Sequence, residues 1–215
     1  MASLYRPPAF ALDDIDAIRD ITRRAPLAQL VLTDADGFLA TPVPLILNTS
    51  ADRLIGHLAK PNRVTKHILA AADSSPCIVI FTGADGYVSP SAYPSKREHG
   101  KVVPTWNYET VHVHGRVIAH PDAEWTLQAV RTLTTHFERD RIEPWADTDA
   151  PPDYIDGLLG AIVGVEIVIG RIEAKRKLSQ NRPEPDRRGV LADVESRGAD
   201  GAELATQMAA TFSAD

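Results

Sequence analysis

The longest alternating run of the chain, residues 102–120, constrains the fold more than any other feature. Val111, Val113 and Val117 alternate there with polar neighbours, and Gly115 interrupts the pattern. A two-residue period of β-branched side chains is typical of a strand with one buried face. The run therefore predicts one long strand and a protein organised around a β-sheet.

Shorter apolar runs supply the other predicted strands. Asp36-Gly37 separates two of them and is a strong hairpin signal. Pro42 and Pro44 weaken the second run, which predicts an edge strand or a bulge there, because proline cannot donate to a sheet ladder. The predicted strands cover residues 27–33, 38–47, 53–59, 77–81, 102–120 and 162–172.

Apolar residues at helical spacing predict helices between and after these strands. About six strands with helices inserted between them favour a β-barrel of the α+β class. From Pro183 onward the chain becomes polar, and only weak helical patterns remain. The predicted helices cover residues 13–24, 61–72, 125–139 and 154–159, with weaker patterns at 187–194 and 202–212.

Composition excludes several classes of protein. The net charge of −6 over 215 residues argues against nucleic-acid binding through bulk electrostatics, which normally needs a basic face. The one cysteine, Cys77, lies in an apolar run, so we expect a buried, inert thiol and no intramolecular disulfide. No signal peptide and no apolar run of membrane-spanning length is evident. We therefore expect a cytoplasmic protein that does not enter a membrane.

The sequence HLAKPN, at residues 57–62, is a candidate anion site. A strand containing His57 ends near Lys60, and a helix is expected to begin at Pro61-Asn62. Such a junction directs a cation and the free N–H groups of a helix start to one point, where phosphate is favoured. The alternative is an ordinary strand–helix junction with a solvated lysine.

The long strand carries a second set of candidates. Trp106, Tyr108 and Thr110 share one face and would suit ring stacking with a hydrogen bond, and His112 and His114 follow on that face. The two histidines could bind a metal or haem, but no cysteine or carboxylate cluster completes a metal site.

Two further stretches carry polar groups without a regular pattern. Residues 86–93 mix aromatic and hydroxyl side chains and are expected to form a loop that lines a pocket. Residues 177–182, KLSQNR, follow the basic cluster KRK at residues 175–177 and could hold a polar ligand edge or a phosphate, or could be a solvated strand end. No Ser-His-Asp order, Walker loop or GxGxxG is present.

Taken together, these strings resemble one family. HLAKPN, YVSPSAY, VVPTWNY, VHVHG and KLSQNR occur in the order and spacing of the PaiB-like proteins, named FMN-binding negative transcriptional regulators. The resemblance extends from about residue 5 to about residue 190. It implies the split β-barrel typified by pyridoxamine 5′-phosphate oxidase, with peripheral helices, and a homodimer that holds FMN in a cleft between subunits.

The resemblance also implies roles for particular residues. Candidates for the FMN phosphate are His57, Lys60 and Asn62; candidates for the isoalloxazine are Trp106, Asn107 and Thr110; second-rank candidates near the flavin are Lys177, Ser179, Gln180 and Asn181. The chain departs from the family strings at Pro42, where a histidine is usual, and at Ala92, where a tryptophan is usual. We expect residues 1–182 to form the split-barrel domain and residues 183–215 a polar, partly helical C-terminal extension.

Three functions follow from these implications. The first is an FMN-binding negative transcriptional regulator, a repressor that acts through DNA or through a regulatory protein partner. The chain is acidic and has no clear helix-turn-helix, so the sequence does not establish DNA binding. The second is a flavin-dependent oxidoreductase acting on a small molecule, although no residue stands out as a dedicated acid or base. The third is a haem-binding split barrel with His112 or His114 as the axial ligand.

Overall fold

The computed structural model describes residues 4–212, so the ends of the predicted domains at residues 1–3 and 213–215 lie outside the described residues. The described chain forms two compact units. The first unit comprises residues 4–21, 82–111 and 173–212, and the second comprises residues 22–81 and 112–172. Because three long strands run through both, each unit is assembled from segments that are distant in the sequence.

Eight strands and seven α-helices lie within residues 4–212. The strands are β1 (Ala11–Leu12), β2 (Leu27–Asp34), β3 (Gly37–Pro44), β4 (Ile46–Leu47), β5 (Arg53–Ala59), β6 (Ser75–Val88), β7 (Thr105–His120) and β8 (Ile162–Lys177). The helices are α1 (Ile15–Arg24), α2 (Arg63–Ala70), α3 (Ser95–His99), α4 (Ala123–Glu138), α5 (Pro152–Leu159), α6 (Glu184–Glu195) and α7 (Ala199–Ala210).

The eight strands form one sheet with strand order β3-β2-β6-β7-β8-β5-β4, and β1 pairs with β8 off this path. The pairs β2–β3, β2–β6, β4–β5 and β5–β8 are antiparallel. The predicted hairpin is confirmed, since Asp34 pairs with Gly37 across the turn. Strand β3 stands at one end of the order, which confirms the edge position predicted from Pro42 and Pro44.

A glycine in β5 marks where the two ends of this strand order approach each other. A Cβ added to Gly56 would lie 2.7 Å from the carbonyl oxygen of Pro44 and 2.7 Å from the side chain of Leu45. No side chain fits into that space, so β5 can lie directly against the end of β3. This close approach curls the sheet toward a barrel.

Helix α4 covers the other face of β5 and β8. Asp122 caps the helix by accepting a hydrogen bond from the backbone N–H of Trp125, at 2.8 Å. A Cβ at Gly164 in β8 would lie 2.3 Å from the Trp125 ring, so the indole packs directly on the strand backbone. The Trp125 ring also stacks on His120, with ring centroids 3.9 Å apart.

The first unit has its own apolar core. Strand β1 pairs with the end of β8, where Ala11 lies opposite Lys175. Helices α6 and α7 contribute the largest share of the core, which contains Ala84, Val88, Tyr93, Leu178, Val190, Val194, Leu204, Ala205 and Met208. The weak helical patterns of the C-terminal segment therefore correspond to packed helices. The division of the chain at residue 182 stays a prediction.

Two predicted boundaries require correction. Strand β6 runs from Ser75 to Val88, so the predicted loop at residues 86–93 begins within a strand. Tyr93, at the end of that predicted loop, is buried in the apolar core of the first unit. Strand β8 continues past the predicted end at residue 172 to Lys177, so the basic cluster belongs to a strand. None of the helices within residues 4–212 combines the length and hydrophobicity that crossing a membrane requires.

Candidate functional site

The junction between β5 and α2, in the second unit, carries two of the phosphate candidates, Lys60 and Asn62. Asn62 caps α2: its Oδ1 accepts from the backbone N–H of Val64 at 2.9 Å, and its Nδ2 donates to Thr41 Oγ1 at 3.0 Å. Lys60 is exposed, and its Nζ donates to the carbonyl oxygen of Gly160 at 2.7 Å. Asn62 is therefore the N-cap of α2, and Lys60 lies two residues before it.

His57, the third phosphate candidate, has a different environment. Its side chain lines an apolar cavity of about 300 Å³, together with residues of α4 and α5. The Nδ1 atom is buried and has no hydrogen-bond partner within residues 4–212, and burial lowers the pKa of the imidazole. A neutral imidazole is expected near pH 7 because desolvation disfavours the charged form. Its contact with a phosphate stays a prediction.

The donors at this junction fit the phosphate end of FMN unequally. Among the described residues, the Lys60 ammonium bonds to one backbone carbonyl, so its flexible side chain can turn to an anion near the positive end of α2. Arg63 is held by two carboxylates, Asp34 Oδ2 at 2.8 Å and Asp36 Oδ2 at 2.7 Å. The Asn62 amide already makes two hydrogen bonds, since its oxygen accepts from the N–H of Val64 and its nitrogen donates to Thr41. Asn62 positions the helix start, and the phosphate contacts of Lys60 and Asn62 stay predictions.

In the first unit, Trp106 is an exposed aromatic side chain. The Trp106 side chain is 49% exposed, and its Nε1 donates to Asp85 Oδ1 at 2.9 Å. The ring of Tyr87 lies edge-on to it, with centroids 6.1 Å apart. Exposed aromatic faces suit stacking on a flat ring. The flavin contact predicted for Trp106 stays a prediction, and its position leaves a ring face available.

Asn107 and Thr110 are buried, unlike Trp106. The Asn107 side chain is fully buried; its Oδ1 accepts from Ser179 Oγ at 3.1 Å, and its Nδ2 donates to Met208 Sδ at 3.5 Å. Thr110 is 8% exposed. Asn107 and Ser179 therefore join β7, the turn after β8 and α7 within this core. Their proposed roles toward a flavin stay predictions.

The remaining second-rank candidates lie at the end of β8 and in the turn that follows it. Lys177 Nζ donates to Thr105 Oγ1 at 2.7 Å and to the Trp106 carbonyl. Gln180 closes the turn: its Oε1 accepts from Leu178 N at 2.6 Å, and its Nε2 donates to the carbonyl oxygen of Arg176 at 2.7 Å. Asn181 is exposed. Burial, then the nearby Lys175 and Arg182, lower the pKa of Lys177.

Sequence reasoning missed a buried ion pair beside these residues. Arg176 Nε donates to Glu109 Oε1 at 2.7 Å, and the Glu109 side chain is fully buried. Glu109 shares its strand face with Val111 and Val113, so a carboxylate on the buried face of a strand was the available signal. The neighbouring Lys175 lies 5.2 Å from the ring centroid of Tyr108. The basic cluster is therefore paired and packed.

The strand histidines and the cysteine also have defined surroundings. His114 Nε2 lies 3.2 Å from a guanidinium nitrogen of Arg171, so one of its two ring nitrogens already has a partner. Within residues 4–212, no group of three or more His, Cys, Asp or Glu side chains is arranged to hold a metal ion. Burial raises the pKa of the Cys77 thiol to about 12, which agrees with the inert thiol expected from the sequence.

Solved structures define the class of the fold. A conserved hypothetical protein of Mycobacterium tuberculosis matches with a TM-score of 0.57 and 14% identity, over 83% of this chain and 94% of that chain. The FAD and heme binding protein of Mycobacterium smegmatis matches with a TM-score of 0.55 and 16% identity, over 78% and 73% of the two chains. The likeness confirms the predicted α+β split β-barrel with peripheral helices.

A family match and similar sequences define the class of this protein more closely than the fold does. Residues 4–171 match a family described as a putative FMN-binding domain, and the chain belongs to that family. FMN, the cofactor expected from the sequence, is thus the cofactor that the family supports. Protease synthase and sporulation protein PAI 2 of Bacillus subtilis is 29% identical over 90% of each chain. An uncharacterized protein of Emericella nidulans is 32% identical over 68% of each chain. The PaiB-like resemblance is confirmed.

Proposed function

We propose that this protein binds FMN and that Lys60, at the start of α2, holds the phosphate. The observation that carries the proposal is the exposed Lys60, two residues before the Asn62 cap of α2, inside the segment that matches the FMN-binding family. Asn62 fixes the helix start by its bonds to Val64 and Thr41, so the partial positive charge of the helix is held in place.

A phosphate bound by Lys60 would compete with one neutral acceptor in the described part of the chain, the Gly160 carbonyl. Lys60 would exchange its bond to the Gly160 carbonyl for a charge-assisted bond to a phosphate oxygen, which is roughly twice as strong. FMN supplies the redox chemistry of the ring when it is bound. The contacts of Trp106, Asn107 and Thr110 to that ring remain independent predictions for the first unit.

The experiment titrates FMN and riboflavin against the protein and its Lys60→Ala variant, with flavin fluorescence as the readout. We expect Lys60→Ala to weaken FMN binding about tenfold and to leave riboflavin, which has no phosphate, unchanged. Lys66→Ala is the matched control because it removes the same charge from an exposed position further along α2. The assignment of Lys60 would be refuted if Lys60→Ala weakened the binding of FMN and riboflavin equally. It would also be refuted if Lys66→Ala weakened FMN binding as much as Lys60→Ala does.

The wider role proposed here is that of a cytoplasmic, homodimeric negative regulator of transcription. The support is the PaiB-like resemblance and the relative from Bacillus subtilis named for protease synthase and sporulation. Sedimentation equilibrium of the FMN-loaded protein tests the dimer. Transcript levels in cells that carry the Lys60→Ala variant test whether repression depends on FMN. Unchanged levels in cells that lack the protein altogether would remove the regulatory role.

A further inference from the structure

Helix α5 lacks the cover that an apolar helix normally has. None of its residues, Pro152–Leu159, is buried, although four of them are large aromatic or aliphatic residues. Tyr154 and Leu158 are 59% and 49% exposed and, being four residues apart, lie on one face of the helix. Most helices in proteins are stabilised by packing an apolar face, so this face is available to a partner.

An apolar cavity lies next to this face, within the second unit. Trp145, in the loop before α5, lines it together with Val130 of α4 and Leu158 of α5, and Trp145 is itself exposed. Its volume of about 300 Å³ is sufficient for one leucine or phenylalanine side chain, since an apolar cavity of about half that size admits benzene. We call Trp145, Tyr154, Leu158 and this cavity the α4–α5 surface.

Carboxylates are concentrated in the same part of the chain. Residues 138–156 include seven acidic and two basic residues, a net charge of −5 in a chain whose total is −6. Glu143, Asp153 and Asp156 are exposed and form no ion pair with another described residue. Asp147, which lines the cavity, is instead paired with an arginine of α4 at 2.7 Å. The α4–α5 surface therefore combines exposed apolar side chains with unneutralised negative charge.

This charge selects among the possible occupants of the surface. In a two-fold contact between copies of this chain, the same patch would face itself and bring like charges together. Nucleic acid and anionic lipid headgroups would be repelled in the same way. A protein segment with apolar side chains on one side and cations beside them satisfies both features of the surface.

We propose that the α4–α5 surface docks a basic amphipathic helix of a partner protein. One apolar side chain of that helix enters the cavity against Trp145 and Leu158, and its lysine or arginine side chains lie beside Asp153 and Asp156. Helices bind apolar grooves in this manner through anchors spaced three or four residues apart. The proposal depends neither on FMN binding nor on a role in transcription.

The test uses two synthetic peptides of about 18 residues, long enough to form a helix. Both carry leucines at helical spacing; the other positions are lysine in one peptide and glutamate in the other. Anisotropy of the labelled peptides measures binding to the protein with and without FMN, so docking is measured whether or not FMN binds. We expect the lysine peptide to bind at least about tenfold more tightly. Equal affinities, or no binding at about 100 μM protein, would overturn the proposal.

The charge arm removes two carboxylates from α5. Asp153→Asn with Asp156→Asn should weaken binding of the lysine peptide about fivefold, because two exposed ion pairs are lost. The matched control, Asp73→Asn with Asp200→Asn, removes two exposed carboxylates outside the surface and should leave binding unchanged. Equal effects of the two double variants would overturn the proposal.

The apolar arm truncates the exposed face of α5. Leu158→Ser should weaken both peptides about tenfold, since central apolar contacts carry most of the binding energy, and Tyr154→Ser supplies a second variant if the first does not fold. The control is Phe38→Ser, which removes an exposed ring from β3. Unchanged binding by both α5 variants would overturn the proposal. A fall in the sedimentation mass of Leu158→Ser would identify the surface as a contact between copies and would overturn it too.

Discussion

Replacing Arg176 by methionine should destabilise the protein strongly, because it removes the guanidinium partner of a fully buried carboxylate. Arg176 Nε and Glu109 Oε1 are 2.7 Å apart, and the Glu109 side chain is 0% exposed. Removing one partner of a buried ion pair costs about 3–5 kcal/mol, chiefly because the remaining charge stays buried. Arg176 is 19% exposed and Glu109 keeps a further interaction, so we expect the lower end, about 3 kcal/mol.

The assay is guanidinium denaturation followed by tryptophan emission, with a thermal scan beside it. A loss of about 3 kcal/mol corresponds to a fall of about 6–12 °C in the melting temperature for a chain of this size. The double variant Glu109→Met with Arg176→Met should recover most of the loss, because it removes both charges and leaves apolar side chains of similar length.

The control for this prediction is Arg188→Met in the same unit. Arg188 pairs with Glu184 at 2.6 Å, but both side chains are mostly exposed, so solvent screens the pair and its removal should change stability little. The buried-charge reasoning is refuted if Arg176→Met costs less than about 1 kcal/mol. The reasoning is refuted equally if the double variant loses as much free energy of unfolding as the two single variants lose together.

Two further predictions concern the second unit. Gly164→Ala should cost about 1–3 kcal/mol, because the new methyl group would lie 2.3 Å from the Trp125 ring and force the indole away from β8. A lower denaturation midpoint with altered tryptophan emission would support this, and unchanged emission would contradict it. Cys77 should react with iodoacetamide about a thousandfold more slowly than a free cysteine at pH 8, because its thiolate forms only as the pH rises toward about 12. Mass spectrometry of timed samples measures the rate, and labelling at the rate of a free thiol would contradict the burial.

Local pattern predicted most of the strands of the second unit. Strand β5 was predicted with the bounds observed, Arg53–Ala59, because its side chains alternate and turn residues flank it. Strand β6 was predicted too short because two glycines follow its apolar half. In the structure Gly83 and Gly86 allow close packing, since a Cβ there would lie 3.1 Å from Glu109 and 2.7 Å from Leu204. Neither contact is visible from the local sequence.

In the candidate site, too, the sequence predicted only those features that depend on neighbouring residues. The cap formed by Asn62 and the exposed position of Lys60 follow from the order of residues around one helix start. The roles of Asn107 and Ser179 depend on each other and on Met208, which are brought together only by folding. The unpaired His57 depends on helices that begin more than sixty residues later in the chain. Local spacing carries no information on such pairings.

The way in which the first unit is assembled has a consequence for synthesis on the ribosome. Its core joins Val88 and Tyr93 to Val194, Leu204 and Met208, which are translated about a hundred residues later. Contacts of such long sequence separation form late, because the intervening chain must first be made and ordered. Until Met208 has left the exit tunnel, the apolar face around Tyr93 has no cover, and the nascent chain is exposed to association with other chains during that interval.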